Sequence, residues 1–267
     1  MASNGTIQVE SRGAIDIVTL DRAEALNAVT PAMIDALSAY FEGLQSNFTT
    51  RVVILRGDGR AFCAGADLGS DAFAPPGAGR PQRQMLEQKR YSGLIRLMRA
   101  APQPILGLIQ GAACGAGFSI ALACDVRYAA PDARMNAAYL RVGLGGCDMG
   151  SGYLLPRLVG VSVASEFLMS GRFIEAERAK AIGLVSEIVP QDKLLDTGLS
   201  LAADMMRASP MGLRMTKETL NAEIDAQSLD AALTLEDRQQ VMLLETSDFH
   251  EAVAAFREKR APSYQDR

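Results

Sequence analysis

Histidine is nearly absent from the sequence of 267 residues, in which His250 is the only one. A Ser-His-Asp or Cys-His mechanism would have to use it, because each of these mechanisms needs an imidazole as its base. His250 lies in the acidic segment SDFHEAV, and no Gly-x-Ser-x-Gly motif marks a nucleophilic serine. The sequence therefore disfavours a hydrolase of either type, and we interpret His250 as an ordinary surface or interface residue.

Motifs for nucleotides and metals are also missing. There is no Gly-x-x-x-x-Gly-Lys segment, and the GAG at 115–117 lacks the third glycine of a dinucleotide-binding fingerprint. Zinc-ligand spacing is absent, and a disulfide framework is not expected in a chain of this length. The cysteines are Cys63, Cys114, Cys124 and Cys147. We expect free thiols in a reducing cytoplasm, no metal, and neither a P-loop enzyme nor a simple dehydrogenase.

A basic surplus is lacking as well. The 27 Lys and Arg residues against 31 Asp and Glu residues give a net charge of −4, so nucleic acid is not an expected partner. Apolar residues make up 48% and charged residues 22%, which is typical of a globular chain and excludes a disordered one. The first residues, MASNGTIQVES, lack the basic start and apolar core of a secretory signal, so we expect a cytoplasmic protein.

Residues 100–124 contain no charge, and this run is long enough for a membrane span. Gly107, Gly111 and Gly115 even have the spacing that packs membrane helices. The run is nevertheless weakly apolar, since it includes prolines, glutamines and many alanines, and only 105–109 is densely apolar. Five such residues predict a short buried strand rather than a span.

The pattern along the chain changes near residue 160. Before it, predicted strands at 14–20, 52–55, 105–109 and 126–129 alternate with predicted helices from 31, at 84–100 and at 116–123. The Gly/Pro-rich segment 69–83 is predicted to be a loop. After residue 160, only helices are predicted, at 162–170, 175–182, 191–208, 210–226, 229–246 and 248–258. We therefore expect an α/β core in residues 1–190 and a helical region in residues 191–267.

Two glycine-rich turns each follow a predicted strand. They are AFCAGAD at 61–67 and QGAACGAG at 110–117, the second leading into the helix at 116–123. Small residues allow backbone N–H groups to approach a ligand oxygen, and a helix N-terminus adds unpaired donors. The turns could therefore form an oxyanion hole for one carbonyl group. The alternative is that they are tight turns that pack helices on strands.

Several long segments, in order, resemble the enoyl-CoA hydratase/isomerase, or crotonase, family. They are LDRAEALNAVT at 20–30, AFCAGADL at 61–68, PILGLIQGAACGAGFSIALACDVRYAA at 104–130, LLPRLVG at 154–160, GRFIEAERAKAIGLVSEIVP at 171–190 and AFREKRAP at 255–262. The resemblance implies an α/β spiral of repeated ββα units with a C-terminal helical trimerisation region. It also implies an acyl-CoA thioester substrate, no separate cofactor, and a homotrimer or dimer of trimers.

The resemblance also assigns site residues. The family's oxyanion donors correspond to the backbone N–H groups of Ala66 and Ala116. Coenzyme A is expected along Ala23 and Ala25, and Lys259 or Arg260 is expected to reach its phosphates. The other residues expected to bind the substrate are Ala64, near the adenine, and Gly65, Asp67, Leu68 and Gly115. The position of Asp67 in the AGAD turn favours a structural role over that of a base.

The chain departs from the family where a hydratase carries two glutamates. Those positions are Ser119 and Tyr139 here, and neither side chain readily replaces a carboxylate as a base near neutral pH. Standard two-glutamate hydration is therefore in doubt.

One carboxylate remains in this neighbourhood, at Asp148 in GLGGCDMGSGY. It resembles the acidic residue of some isomerases in the family, which favours proton transfer on an acyl-CoA enolate with Asp148 as acid and base. Hydration by Asp148, assisted by Tyr139 or Ser119, is a further alternative. Asp148 could instead be the N-cap of a helix starting near Met149, and the chain could be a CoA-binding member without catalysis.

Overall fold

The computed structural model describes residues 6–69 and 80–267 of the chain. The strands form a six-stranded sheet in the order β1-β2-β3-β4-β6-β9 and a three-stranded sheet in the order β5-β7-β8. Their bounds are β1 Ile7–Arg12, β2 Ile15–Leu20, β3 Val52–Gly57, β4 Ile105–Ile109, β5 Ala112–Cys114, β6 Val126–Ala129, β7 Arg134–Asn136, β8 Ile174–Glu175 and β9 Glu187–Ile188. Strand β1 is antiparallel to β2, and every other neighbouring pair in the larger sheet is parallel.

Helices cover both faces of the larger sheet. Helix α1 begins with Pro31 directly after the cap residue Thr30, whose hydroxyl accepts a hydrogen bond from the N–H of Met33 at 3.2 Å. The helices are α1 Pro31–Gly43, α2 Arg80–Ala100, α3 Ala116–Ala123, α4 Ser151–Val159, α5 Val161–Ser170, α6 Ala176–Ala181, α7 Leu194–Met205, α8 Pro210–Glu223, α9 Leu229–Leu244 and α10 Ser247–Glu258.

The chain repeats one supersecondary pattern. It passes through β4 of the larger sheet and β5 of the smaller sheet before entering α3, and then through β6, β7 and, after a 3-10 turn, α4. These are the repeated ββα units that the family resemblance implies, so the expected fold class is confirmed. Within the described residues, no helix has both the length and the apolar character needed to cross a membrane.

The central strands bury both of their faces. Along β3, Val53 and Leu55 belong to the core beneath α1 and α2, while Val52 and Ile54 belong to a second core that includes residues of α7. The alternation follows from the two-residue period of a strand, and burial on both faces gives such strands their continuous apolar sequence. The sheet therefore holds the ends of its strands, where the turns of interest lie, on a rigid base.

Sequence-based expectations for the regular elements are largely confirmed. The predicted strands at 105–109 and 126–129 and the predicted helix at 116–123 have the bounds expected. Helix α2 begins four residues earlier than predicted, and residues 70–79 of the predicted loop at 69–83 lie outside the described residues. Strand β1, the short strands β5, β7, β8 and β9, and helix α4 were not predicted.

A buried ion pair attaches the C-terminal region to the core. The Nζ atom of Lys217 on α8 lies 2.8 Å from Oδ2 of Asp125, which follows α3, and it donates to the carbonyl oxygen of Gln103 at 2.8 Å. The lysine side chain is only 5% exposed, and burial lowers its pKa against the effect of Asp125. Arg99 also donates to Asp125, at 2.8 Å.

This arrangement predicts an asymmetric loss of stability. In Asp125→Asn the ammonium group stays buried without its counter-charge, so the free energy of unfolding should fall by about 3–5 kcal/mol. In Lys217→Met the carboxylate keeps Arg99 and the N–H of Ile105, so the loss should be about 1–2 kcal/mol. Urea denaturation followed by circular dichroism measures both values, and equal losses in the two variants would contradict the explanation.

Candidate active site

The first glycine-rich turn is held against the segment that precedes α1. The N–H of Ala64 donates to Leu26, the N–H of Val29 to Gly65 and the N–H of Asp67 to Val29, at 2.9, 2.7 and 2.9 Å. Val29 and Ala66 form an isolated parallel bridge. Because this bridge uses the groups of Gly65 and Asp67 that face Val29, the N–H of Ala66 points to the opposite side.

Asp67 completes this attachment. Its carboxylate accepts from Arg22 at 2.6 Å and from the N–H of Gly69 at 2.9 Å. Together these bonds hold the pKa of Asp67 below its usual value, with that of Arg22 contributing most. Arg22 also donates to the carbonyl oxygen of Ala28 at 3.0 Å. Asp67 therefore ties the two segments together and does not line the pocket described below.

The second turn lies beside the first. Cys63 accepts from the N–H of Cys114 and donates to Ala112, each at 2.9 Å, and α3 then begins at Ala116. A Cβ atom placed on Gly65 would lie 3.0 Å from the carbonyl oxygen of Cys114 and 3.9 Å from the nitrogen of Ala116. The two turns thus approach within contact distance, which only glycine permits at position 65, where φ is +112°.

A pocket of about 130 Å³ opens where the turns meet. In the described part of the chain, neither the N–H of Ala66 nor that of Ala116 donates to a protein acceptor. The turn residues that line the pocket are Ala64, Gly65, Ala66, Leu68, Gly115 and Ala116. The two free donors therefore belong to the wall of one pocket.

The opposite wall comes from α2 and from the segment between β7 and α4. Helix α2 contributes residues at spacings of three and four, namely Gln84, Glu87, Gln88 and Tyr91. The segment after β7 contributes Ala138, Tyr139, Val142, Leu144, Asp148 and Met149. Sequence reasoning missed the residues of α2, although the i, i+3, i+4, i+7 repeat of polar side chains was the available signal.

The two positions that lack glutamate contact each other. The Ser119 and Tyr139 hydroxyl oxygens are 2.6 Å apart, and the serine donates to the backbone carbonyl of Asp148 at 3.0 Å. Burial raises the pKa of Tyr139 to about 12, so the phenol stays neutral across ordinary assay pH. Tyr139 lines the pocket, whereas the fully buried Ser119 lies behind it.

Asp148 faces the pocket with one oxygen engaged. Its Oδ1 accepts from Nε2 of Gln88 at 2.5 Å and from the N–H of Met149 at 2.7 Å. Within the described residues, Oδ2 accepts no hydrogen bond. Helix α4 begins at Ser151 with Gly150 as its cap residue, so the interpretation of Asp148 as a helix N-cap is wrong.

The backbone after Asp148 is unusual. Met149 adopts φ +44° and Gly150 φ +82°, so two consecutive residues are left-handed. A left-handed non-glycine residue costs on the order of 1 kcal/mol and is characteristic of functional sites. Met149 is buried and lines the pocket, and α4 begins two residues later at Ser151. The left-handed conformation provides the sharp turn that this short connection needs.

Other predicted residues lie away from the pocket. Ala23 and Ala25 form the ends of a 3-10 turn, and the exposed Lys259 caps the C-terminus of α10. His250 is exposed on α10, as expected of a surface residue, and Cys147 is an exposed thiol. No residue of the described 191–267 region lines this pocket in the single chain.

The ββα repeats, the adjoining glycine-rich turns and the pocket between them define a crotonase-fold enzyme. The family model for enoyl-CoA hydratase/isomerase matches residues 10–267, and the chain belongs to this family, whose members act on acyl-CoA.

Named relatives agree with this assignment. The chain is 39% identical, over 93% of its length and 86% of the relative's, to a probable enoyl-CoA hydratase of Mycobacterium leprae. It is 32% identical to the 1,2-epoxyphenylacetyl-CoA isomerase of Escherichia coli, over 92% of this chain and 93% of that protein. A crystal structure of a putative enoyl-CoA hydratase from Streptomyces coelicolor superposes with a TM-score of 0.91 at 35% identity, covering 98% of this chain and 94% of the other. The names thus include both a hydratase and an isomerase.

Proposed function

We propose that the protein moves a double bond along an acyl-CoA thioester by proton transfer, with Asp148 as acid and base. The observation that carries this proposal is the free Oδ2 of a single aspartate in the same pocket as two unpaired backbone N–H groups. In a 3-enoyl-CoA, Asp148 takes a proton from C2, giving an enolate, and returns it to C4, giving the 2-enoyl-CoA. The step is balanced without any cofactor beyond the CoA thioester.

The N–H groups of Ala66 and Ala116 bind the thioester oxygen in this proposal. Negative charge grows on that oxygen as the proton leaves C2, so donors that are already oriented favour the enolate over the bound substrate. The loss of one such donor typically costs about 2.7–4 kcal/mol of activation free energy. The donors are supported by the bridge at Val29 on one side and by the start of α3 on the other.

Hydration is the second candidate. In it, Asp148 removes a proton from water while Tyr139, which lines the pocket, or Ser119 behind it orients that water. The name of the Mycobacterium leprae relative favours this reaction. The third candidate is a member that binds acyl-CoA without catalysis, which the replacement of both glutamates by Ser119 and Tyr139 supports.

The remaining assignments concern the CoA end and assembly. We place CoA along Ala23, Ala25 and Ala64, with its phosphates toward Lys259. We also assign the helical region 191–267 to a homotrimer or dimer of trimers in the cytoplasm. Exposed apolar side chains on that region support an interface, and they include Leu220, Ile224, Leu229, Val241, Met242 and Phe256.

Mass spectrometry of reactions in D₂O separates these candidates. We expect a 3-enoyl-CoA to become the 2-enoyl-CoA with deuterium incorporated and without the mass of water, because the proton of Asp148 exchanges with solvent during the reaction. A 2-enoyl-CoA that gains the mass of water would support hydration instead. Tight binding of both the 3-enoyl-CoA and the 2-enoyl-CoA with no new product from either would support the non-catalytic candidate.

Gln88 should act as a positioning residue for Asp148. Gln88→Met keeps the length of the side chain but removes the donor to Oδ1, so kcat should fall about tenfold, within the range for a hydrogen bond to a charged group. KM should stay nearly constant, since the thioester oxygen is bound elsewhere. Steady-state kinetics on the 3-enoyl-CoA measure both constants, and a rise in KM alone would show that Gln88 contacts substrate instead.

A further inference from the structure

The part of the pocket wall that α2 forms has three polar side chains, all in the N-terminal half of the helix. Gln84, Glu87 and Gln88 share the face of the helix that lines the pocket. Gln88 donates its hydrogen bond to Asp148, whereas Gln84 and Glu87 have no such role at the reacting end. A straight alkyl chain would make no hydrogen bond with either residue.

Gln84 offers an unused donor. Its Nε2 atom is buried, yet no acceptor among the described residues lies within hydrogen-bonding distance. A buried polar atom without a partner costs about 1–3 kcal/mol, so native structures rarely keep one without a reason. Because Gln84 lines the pocket, rotation about its terminal side-chain bonds would bring the buried amide to a bound molecule that supplies the acceptor.

Glu87 offers an unused acceptor one turn further along the helix. Its Oε2 lies 3.2 Å from Nη1 of Arg90, which is itself paired with Asp35, and its Oε1 accepts no hydrogen bond from the described residues. Residues three apart on a helix have Cβ atoms about 5–6 Å apart. A group that both accepts and donates a hydrogen bond can therefore bridge Gln84 and Glu87.

The charge of the pocket limits which group the acyl chain can carry. Glu87 and Asp148 are the acidic residues that line the pocket, and none of the lining residues in the described ranges is a lysine or arginine. A carboxylate on the acyl group would therefore meet negative charge without a cationic partner. A hydroxyl group carries no charge, accepts from Gln84 and donates to Glu87.

We propose that the preferred substrates are acyl-CoA thioesters whose acyl chain carries a hydroxyl group beyond the reacting carbons. This inference rests on the proposed function for the reacting end and adds the chemistry of the acyl chain. Leu68, Val142, Leu144 and Met149 give the wall an apolar part, against which the carbon chain between the two ends would pack.

Three 3-enoyl-CoA thioesters of equal chain length test the proposal: one ending in a methyl group, one bearing an ω-hydroxyl group and one bearing an ω-carboxylate. We expect kcat/KM for the hydroxyl substrate to exceed that for the methyl substrate by about tenfold, from the hydrogen bonds gained, and the carboxylate substrate to be the poorest. Values for the methyl and hydroxyl substrates within twofold of each other would overturn the proposal.

Variants of α2 test whether Gln84 and Glu87 cause the preference for the hydroxyl substrate. Gln84→Leu should abolish most of the preference for hydroxyl over methyl, and Glu87→Gln should improve the relative rate of the carboxylate substrate. Leu86→Gln, at an exposed position of α2 outside the pocket wall, is the matched control and should leave the ranking unchanged. A hydroxyl preference that survives in Gln84→Leu would place its origin elsewhere and contradict the assignment.

Binding measurements separate failure of this inference from failure of the proposed function. Non-reactive thioether analogues of the methyl and hydroxyl substrates can be titrated by calorimetry whether or not turnover occurs. Turnover without isomerisation but with tighter hydroxyl binding would reject only the proposed function. Isomerisation with equal binding and equal kcat/KM for the two would reject only the hydroxyl preference.

Discussion

Asp148→Asn should reduce kcat for the 3-enoyl-CoA by about 10²–10⁴-fold, the range that a positioned acid-base group contributes. The amide keeps the shape of the side chain and can still accept from Gln88 and from the N–H of Met149 through its oxygen. It cannot, however, take a proton from C2. We therefore expect KM to change little and the melting temperature to stay close to that of the parent.

Cys147→Ser is the matched control, because Cys147 is the neighbouring exposed residue and does not line the pocket. Its kinetics should match those of the parent. Retention of full turnover by Asp148→Asn on every active thioester would remove Asp148 from the mechanism and leave Glu87 as the other carboxylate of the pocket to be tested.

Gly65→Ala is the second change with a large expected effect. The new methyl group would lie 3.0 Å from the carbonyl oxygen of Cys114 on a residue with φ +112°, so the two turns must move apart. In the proposed mechanism, the N–H groups of Ala66 and Ala116 would then no longer bind the same thioester oxygen. We expect kcat to fall by about 10²–10³-fold, the cost of losing an oxyanion-hole donor.

Gly93→Ala is the control for this change. Gly93 lies in α2, and a Cβ atom placed there would meet nothing within 4 Å. Alanine in a helix interior is favoured over glycine by about 0.5–1 kcal/mol, so this variant should be slightly more stable and fully active. The oxyanion-hole assignment would be refuted if Gly65→Ala, shown folded by circular dichroism, kept kcat within twofold of the parent.

The elements that the sequence predicts well are those whose own residues determine them. The strand at 105–109 is a dense apolar run, and α3 follows a glycine whose φ of +50° favours the turn into a helix. Strands β8 and β9, by contrast, have two residues each, which is too short to show an alternating pattern. Their pairing depends on neighbours that are distant along the chain.

The candidate site likewise has parts that the local sequence determines and parts that depend on distant residues. The two turns could be predicted as sites because small residues and strand ends occur together in the sequence. The contact between Gln88 and Asp148 joins residues separated by 60 positions, and neither residue's local sequence indicates it. The polar face of α2 likewise became a pocket wall only through the packing of α2 against the turn segments.

The donors at Ala66 and Ala116 have a consequence for how such a site diverges. Both belong to the main chain, so every substitution except proline keeps the N–H group itself. Substitutions at Ser119, Tyr139, Asp148 and along α2 can therefore change the surrounding side chains without removing the N–H groups that we propose bind the thioester oxygen. Single substitutions in such a site can therefore change the reaction through the side chains, while the main-chain donors are kept.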